Sequence, residues 1–198
     1  MKYFICIILA YLIGSLSPSA LIAKIKQKDL KKEGTGNLGA TNTALVFGKA
    51  FGFIVMLFDV FKGFLAVQIS SWLVPGVEWF ALLCGFFAII GHCFPFYLKF
   101  KGGKGLATFG GVVLTYNPQL FLFVLISGVV IVLLVNSATV LTYYAALLFP
   151  IYVVITENDV LTMAVCIIMS LFMMIMFIPN LKRAISGEEI KSRDFLKK

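Results

Sequence analysis

Apolar runs close to the length of a membrane crossing recur along the chain, separated by short polar breaks. A helix needs about 20 apolar residues to span the hydrocarbon of a bilayer. Residues 3–23, 50–70, 79–97, 119–135, 138–155 and 160–178 therefore predict six spanning helices. A shorter run, 105–116, ends at the turn signal Asn117-Pro118 and brings the expected number of segments to about seven. The first run is interrupted by Gly14-Ser15-Leu16-Ser17-Pro18. Backbone groups released by such a break must find partners on a neighbouring helix, because lipid offers none. No internal repeat at a fixed period is evident, which weighs against many transporter folds.

Composition turns this pattern into a class. The 198 residues are 61% hydrophobic and 13% charged, with a mean hydropathy of +1.01. A soluble globular domain needs more charge for its surface alone. The expected fold is all-α, a polytopic integral membrane bundle formed as a single domain over residues 1–198. The four cysteines (Cys6, Cys84, Cys93, Cys166) sit scattered in apolar runs without metal-ligand spacing, so they read as buried small hydrophobes.

Charge then orients the bundle. Lys24, Lys26, Lys28, Lys31 and Lys32 follow the first run, and the tail from residue 182 to 198 is basic. The 156–159 connection, TEND, is acidic, and the 70–79 connection, SSWLVPGVEW, lacks Lys and Arg and carries two tryptophans. Cytoplasmic loops collect the cations, so the N-terminus is expected outside and the C-terminus in the cytoplasm. The net charge of +8 belongs to that face and does not indicate a nucleic-acid partner. Charge on the far side of the first run also argues against a signal peptide.

Three polar clusters fall on the cytoplasmic side in this topology: GTGNLGATN at 34–42, GHCFPFYLKFKGGKGLAT at 91–108, and NLKR at 180–183. In the second, Lys99, Lys101 and Lys104 crowd around Gly102, Gly103 and Gly105, with Thr108 one turn further on. Glycines let backbone N–H groups converge on an anion, lysine adds a point charge, and a helix N-terminus adds its dipole. A basic interfacial turn is the other reading of the same residues. The spacing is not that of a Walker loop, since Leu106 stands where the magnesium-binding hydroxyl would follow.

Two further signals lie inside apolar runs. Asp59 and Lys62 interrupt the second span, where a charge costs on the order of 3 kcal/mol. At i, i+3 they share a helix face and can neutralise each other, either as a packed ion pair or to position a site. His92 is the only histidine, and reads either as a neutral-pH base or as a simple interfacial residue. Hydrolase-like sets and His/Glu metal clusters are lacking, so no metal or cofactor is expected. Group transfer here would need a donor that is already activated. An acyl phosphate suits, because a Gly/Lys cradle can stabilise its departing phosphate.

The 34–42 cluster, the Asp59-x-x-Lys62-Gly63 step and the 91–108 stretch together resemble the bacterial acyl-phosphate:glycerol-3-phosphate acyltransferases. The resemblance implies a seven-helix enzyme of the bacterial plasma membrane with its site on the cytoplasmic face. It implies transfer of a fatty acyl group from acyl phosphate to the 1-hydroxyl of glycerol 3-phosphate, giving lysophosphatidate for phospholipid biosynthesis. Neither acyl-carrier protein nor coenzyme A is implied as direct donor, membrane lipid surrounds the protein, and a monomer is expected. Catalytic parts would fall to Thr35, Asn37, Lys104 and Asn180. Substrate binding would fall to Gly36, Asn42, Gly102, Gly103, Gly105, Thr108, Thr142 and Arg183, with Asp59, Lys62 and His92 as structural or positioning residues.

The chain departs from the family pattern at several of these positions. Thr35 and Thr142 stand where serine is usual, Leu45 where arginine is common, and Asn136 where arginine is usual nearby. The late motif H-x-E-N-x-x-R becomes Phe177-Ile178-Pro179-Asn180-Leu181-Lys182-Arg183, which keeps Asn180 and Arg183 but loses the histidine and the glutamate. Replacing Arg by Leu removes a bidentate phosphate donor. An acyltransferase with another acceptor and a non-catalytic lipid- or phosphate-binding paralogue therefore stand beside the glycerol-3-phosphate reading.

Overall fold

The structure, a computed structural model, describes residues 1–193; residues 194–198, the end of the basic tail, lie outside it. Among the described residues every regular element is a helix. The order is α1 (Lys2–Ser15), α2 (Pro18–Ile25), α3 (Ala40–Phe47), α4 (Lys49–Leu73), α5 (Glu78–Cys93), a 3-10 turn (Phe96–Leu98), α6 (Leu106–Tyr116), α7 (Pro118–Val135), α8 (Thr139–Thr156), α9 (Val160–Met176) and α10 (Ile178–Ile185). Five helical stretches are long and apolar enough to cross a membrane: Lys2–Ile25, Lys49–Leu73, Glu78–Leu98, Pro118–Val135 and Thr139–Thr156. The α9–α10 pair, bent by 48°, makes a sixth if counted as one span. The expected segment at 105–116 is a helix of 11 residues, about half a bilayer in length. Many large apolar side chains lie exposed along these helices, Phe53, Leu57 and Phe61 on α4 and Phe123 and Ile126 on α7 among them. Such faces are at home against lipid tails.

The chain forms two compact units, Met1–Thr115 and Tyr116–Lys198. In the first, α1 packs on both α4 and α5, and α4 packs on α5. Lipid tails are as apolar as leucine, so membrane helices associate by close packing of small residues. A Cβ on Gly14 would fall on the backbone of Ala88, and one on Gly91 would fall on the carbonyl of Tyr11. Helix α6 is seated against α4 in the same way, with Gly63 under the Thr108 carbonyl and Gly111 under that of Val60. All four cysteines are free and buried, as small hydrophobes should be.

The break between α1 and α2 receives the partners that lipid cannot give. Tyr97 donates its hydroxyl to the Ser15 carbonyl at 2.7 Å and accepts the Ser17 amide at 3.1 Å. Lys62 Nζ donates to the Leu16 carbonyl at 2.9 Å. Ser17 then caps α2 by accepting the Ala20 amide, with Pro18 in the first turn where its missing N–H costs nothing.

In the second unit α7 packs on α8, α8 on α9, and α10 on both α8 and α9. Asn117 caps α7 through the Leu120 amide at 2.8 Å, and its Nδ2 donates to the Tyr152 hydroxyl at 2.9 Å. Asp159 caps α9, and the Thr162 hydroxyl donating to it at 2.7 Å holds its carboxyl below the usual range. The N-cap position of α8 is Ala138, whose side chain cannot cap. Glu189 from the tail takes that role, accepting the Thr139 amide at 3.1 Å, its hydroxyl at 2.6 Å, and the Ser137 hydroxyl. The α9–α10 elbow turns on Phe177, a buried phenyl, with Pro179 in the first turn of α10.

Candidate functional site

An irregular connection joins α2 to α3, and one side chain holds it in shape. Asn42, buried in the first turn of α3, donates from Nδ2 to the carbonyls of Leu30 at 2.8 Å and Glu33 at 3.1 Å. Its Oδ1 accepts the Thr35 amide at 2.6 Å. Both polar atoms of Asn42 are thus committed to backbone, and they fix the segment that carries Thr35, Gly36 and Asn37. Gly36 takes a left-handed conformation (φ +72°), as does Gly34 beside the Asn42 amide group.

The 94–105 connection is held against the end of α5. After the 3-10 turn, Lys99 and Phe100 both adopt left-handed conformations and reverse the chain. The Gly102 amide then donates to the Cys93 carbonyl at 2.9 Å, and the Gly103 amide to the His92 carbonyl at 3.1 Å. These two amides are spent on backbone rather than turned to a ligand, which differs from the convergence expected from the glycines. Their use is close approach. A Cβ on Gly103 would fall on the His92 ring and lie 2.8 Å from the Leu38 carbonyl, so only glycine brings this loop down onto α5 and against the 34–42 segment.

Where the two loops meet, a cavity of about 290 Å³ is lined by Lys31, Gly36, Leu38, Lys101 and Gly102. Lys31 Nζ also donates to the Leu98 carbonyl at 3.4 Å, tying the first loop to the second. In the sequence Lys31 was one of five cations marking orientation. Its place in the cavity depends on a fold-back that no spacing rule exposes. Lys104, half-buried, and Gly105 (φ +88°) lead into α6, whose first turn carries Thr108. The Thr108 hydroxyl is fully buried and without a hydrogen-bond partner, a state it shares among the described residues with the hydroxyls of Thr142, Ser170 and Ser192.

Beneath the loop lies the charged cluster. Lys62 Nζ sits 2.7 Å from Asp59 Oδ1 and 2.7 Å from His92 Nδ1, and the carboxylate is 3.4 Å from the same ring nitrogen. Asp59, Lys62 and His92 are all buried. Of the remaining candidates, Thr142, Asn180 and Arg183 belong to the second unit. Thr142 is fully buried on α8 with an unpartnered hydroxyl. Asn180 and Arg183 stand one turn apart on α10, with Arg183 donating to Asn180 Oδ1 at 3.4 Å. Leu45 lies partly exposed on α3. Among the described residues no three His, Cys, Asp or Glu side chains cluster as a metal site would need.

Fold and site together define a polytopic helical membrane protein with a cation-lined, glycine-built cavity beside the end of α5. The family model for glycerol-3-phosphate acyltransferase matches residues 4–187, and the chain belongs to that family. The glycerol-3-phosphate acyltransferase of Staphylococcus aureus (strain bovine RF122 / ET3-1) is 37% identical over 199 aligned positions, covering 96% of this chain and 98% of that one. That of strain JH9 is 36% identical over the same shares. The crystal structure of PlsY (YgiH), an integral membrane glycerol 3-phosphate acyltransferase, in its glycerol 3-phosphate form superimposes with a TM-score of 0.90 at 29% identity, covering 96% of each chain. The lysophosphatidic acid form gives 0.89 at 28% over the whole of both chains.

Proposed function

We propose that this chain transfers a fatty acyl group from acyl phosphate to the 1-hydroxyl of glycerol 3-phosphate in a bacterial plasma membrane. What carries the reading is the cavity lined by Lys31, Lys101 and two glycine backbones, in a chain of this family. The cavity has room for more than a phosphate group, and its two lysines supply cations for one. In the step, the acceptor oxygen attacks the acyl carbonyl carbon, the carbon–oxygen bond to phosphate breaks, and phosphate leaves with the electron pair. The hydroxyl proton passes to a phosphate oxygen. The donor is already activated, so the site has mainly to hold two anions close and in line. No metal, cofactor, acyl-carrier protein or coenzyme A enters.

In this reading Thr35, Asn37, Lys104 and Asn180 act on the reacting groups. Gly36, Asn42, Gly102, Gly103, Gly105, Thr108, Thr142 and Arg183 bind substrate or shape the loops that do. The chain works as one monomeric domain with seven segments, N-terminus outside, C-terminus and site on the cytoplasmic face.

A second acceptor is favoured by one observation. Phe177 and Pro179 are used in the α9–α10 elbow, one as a buried phenyl and one as the opening of a helix, and neither side chain offers a hydrogen bond. The experiment is purified protein in lipid given acyl phosphate with and without glycerol 3-phosphate, following phosphate release. Release that requires glycerol 3-phosphate supports the main reading. Acceptor-independent release points to hydrolysis or another acceptor, and no release with phosphate binding retained points to a non-catalytic paralogue.

A further inference from the structure

A lysine ammonium has three N–H donors and no acceptor. Lys62 is 2% exposed, and it has three oxygen or nitrogen partners within 2.9 Å: Asp59 Oδ1, His92 Nδ1 and the Leu16 carbonyl. One donor per partner satisfies the group completely, which is what a charge taken out of water requires. Each partner belongs to a different piece of the first unit: Asp59 to α4 itself, Leu16 to the break between α1 and α2, His92 to the last turn of α5.

Ammonium can only donate, so His92 Nδ1 accepts and the ring carries its hydrogen on Nε2. That nitrogen faces Gly103, where a side chain on the loop would fall on it. The His92 carbonyl takes the Gly103 amide, and the neighbouring Cys93 carbonyl takes that of Gly102. The ring and the backbone of one residue thus form the floor on which the Gly/Lys loop rests.

We propose that Lys62 is a positioning residue for the phosphate cavity. Braced by Asp59 and the open Leu16 carbonyl, it fixes the His92 ring, and His92 sets the height of Gly102 and Gly103 against the 34–38 backbone. It touches no substrate. The proposal rests on the reading that this cavity takes the phosphate of glycerol 3-phosphate. The plain alternative is an ion pair that only neutralises two buried charges and holds helices together.

Kinetics on protein in lipid separate the two. The double variant Asp59→Asn with Lys62→Met leaves no buried charge unpaired, so a pair that only neutralises predicts unchanged kinetics. Positioning predicts a rise of tenfold or more in KM for glycerol 3-phosphate, with kcat within about threefold. A second route keeps the ion pair. His92→Leu removes the acceptor and the floor, and should raise KM by a similar factor, whereas His92→Asn keeps an acceptor near Nδ1 and should recover most of it. Unchanged KM in the double variant, or in His92→Leu where the double variant does not fold, overturns the proposal. So does a KM that rises equally in His92→Leu and His92→Asn. Lys104→Ala is run alongside: if it too leaves KM unchanged, the loop is not the phosphate site and the underlying reading fails, whereas a rise in Lys104→Ala alone removes only the role of Lys62.

Discussion

Asn42 accepts the amide of Thr35 on its side-chain oxygen at 2.6 Å, across seven residues of chain, and is buried while doing so. With its two donated bonds to Leu30 and Glu33 it replaces the regular hydrogen bonding that the 26–39 connection lacks. Asn42→Ala leaves the Leu30 and Glu33 carbonyls and the Thr35 amide short; the Leu30 bond is buried, where an unsatisfied group costs about 1–3 kcal/mol, and the other two are partly open to water. We expect a lower melting temperature and weaker binding of glycerol 3-phosphate together. Asn42→Asp keeps the acceptor for Thr35 but sets a carboxylate against two carbonyls, and should be no better than alanine. Thermal unfolding and a binding isotherm on the same preparations check this; a binding loss with full thermal stability would mean that Asn42 meets ligand directly.

Lys104 contributes charge at the entrance to α6 and, being half-buried, rather little packing. Lys104→Ala is expected to weaken binding of a phosphate-bearing ligand about tenfold or more while the bundle stays folded. One charge-assisted hydrogen bond is worth about 1.5–3 kcal/mol, which spans that effect. Lys104→Arg should recover part of it, since the charge remains while the single-point geometry is lost. Unaltered affinity in folded Lys104→Ala removes this lysine from the site.

The expected arrangement of loops about the membrane can be read with an impermeant thiol reagent. All four native cysteines are buried and would first be replaced. Glu78 and Asn158 are exposed, and a cysteine at either should label from outside intact cells. Asn158 serves better than Glu157, whose carboxylate accepts the Tyr116 hydroxyl at 2.6 Å. A cysteine at Lys191, also exposed, should label only after the membrane is opened. The reverse pattern would put the cavity on the side away from cytoplasmic substrates.

What was legible in the sequence, and what was not, follows the range of the interactions. The apolar runs announced the helices, because hydrophobic length is a local property. The Gly14–Pro18 break announced that partners were needed, yet gave no hint that they are Tyr97 and Lys62, which lie 82 and 46 residues from the carbonyls they serve. The Asp59–Lys62 pair is an i, i+3 contact and could be read directly, while His92 as its third member comes from another helix. The glycines of 102–105 read as amides converging on an anion, whereas the amides of Gly102 and Gly103 meet α5 carbonyls; the cavity takes its cations from Lys31 and Lys101, and Lys31 comes from a distant loop. Phe177 read as a lost histidine, and only its burial at the elbow shows what the phenyl does there.

The tail carries a capping function that has its own test. Glu189 supplies α8 with the acceptor that Ala138 cannot, and Arg193 donates to the Leu133 carbonyl at 2.8 Å at the end of α7. Glu189→Ala should cost about 0.5–2 kcal/mol, the usual worth of an N-cap, and loosen the start of α8. Ala138→Asp in the same chain restores a local cap and should recover most of the melting temperature. Failure to recover would mean that Glu189 matters for more than the cap.

The substituted positions set the hardest test. Leu45, Phe177 and Pro179 stand where arginine, histidine and glutamate are usual in the resemblance, and all three replacements remove polar contacts that an anionic acceptor could use. If the chain is a glycerol-3-phosphate acyltransferase with a weakened acceptor site, Leu45→Arg, Phe177→His and Pro179→Glu together should lower KM for glycerol 3-phosphate, by about 1.5–3 kcal/mol for each charge-assisted bond regained. Stability should move the other way. Phe177 is buried, so exchanging its ring for imidazole gives up apolar packing and places a polar ring where none now sits. Pro179 is well suited to the first turn of α10, and Glu there exchanges a fixed φ for a favourable charge at a helix N-terminus. The expected product is a less heat-stable protein with a better acceptor KM. Thermal unfolding and acceptor titration on the same samples read both at once. A folded triple variant with no gain in glycerol 3-phosphate-dependent turnover would mean that these positions do not limit the chain, and the different-acceptor reading would then take precedence.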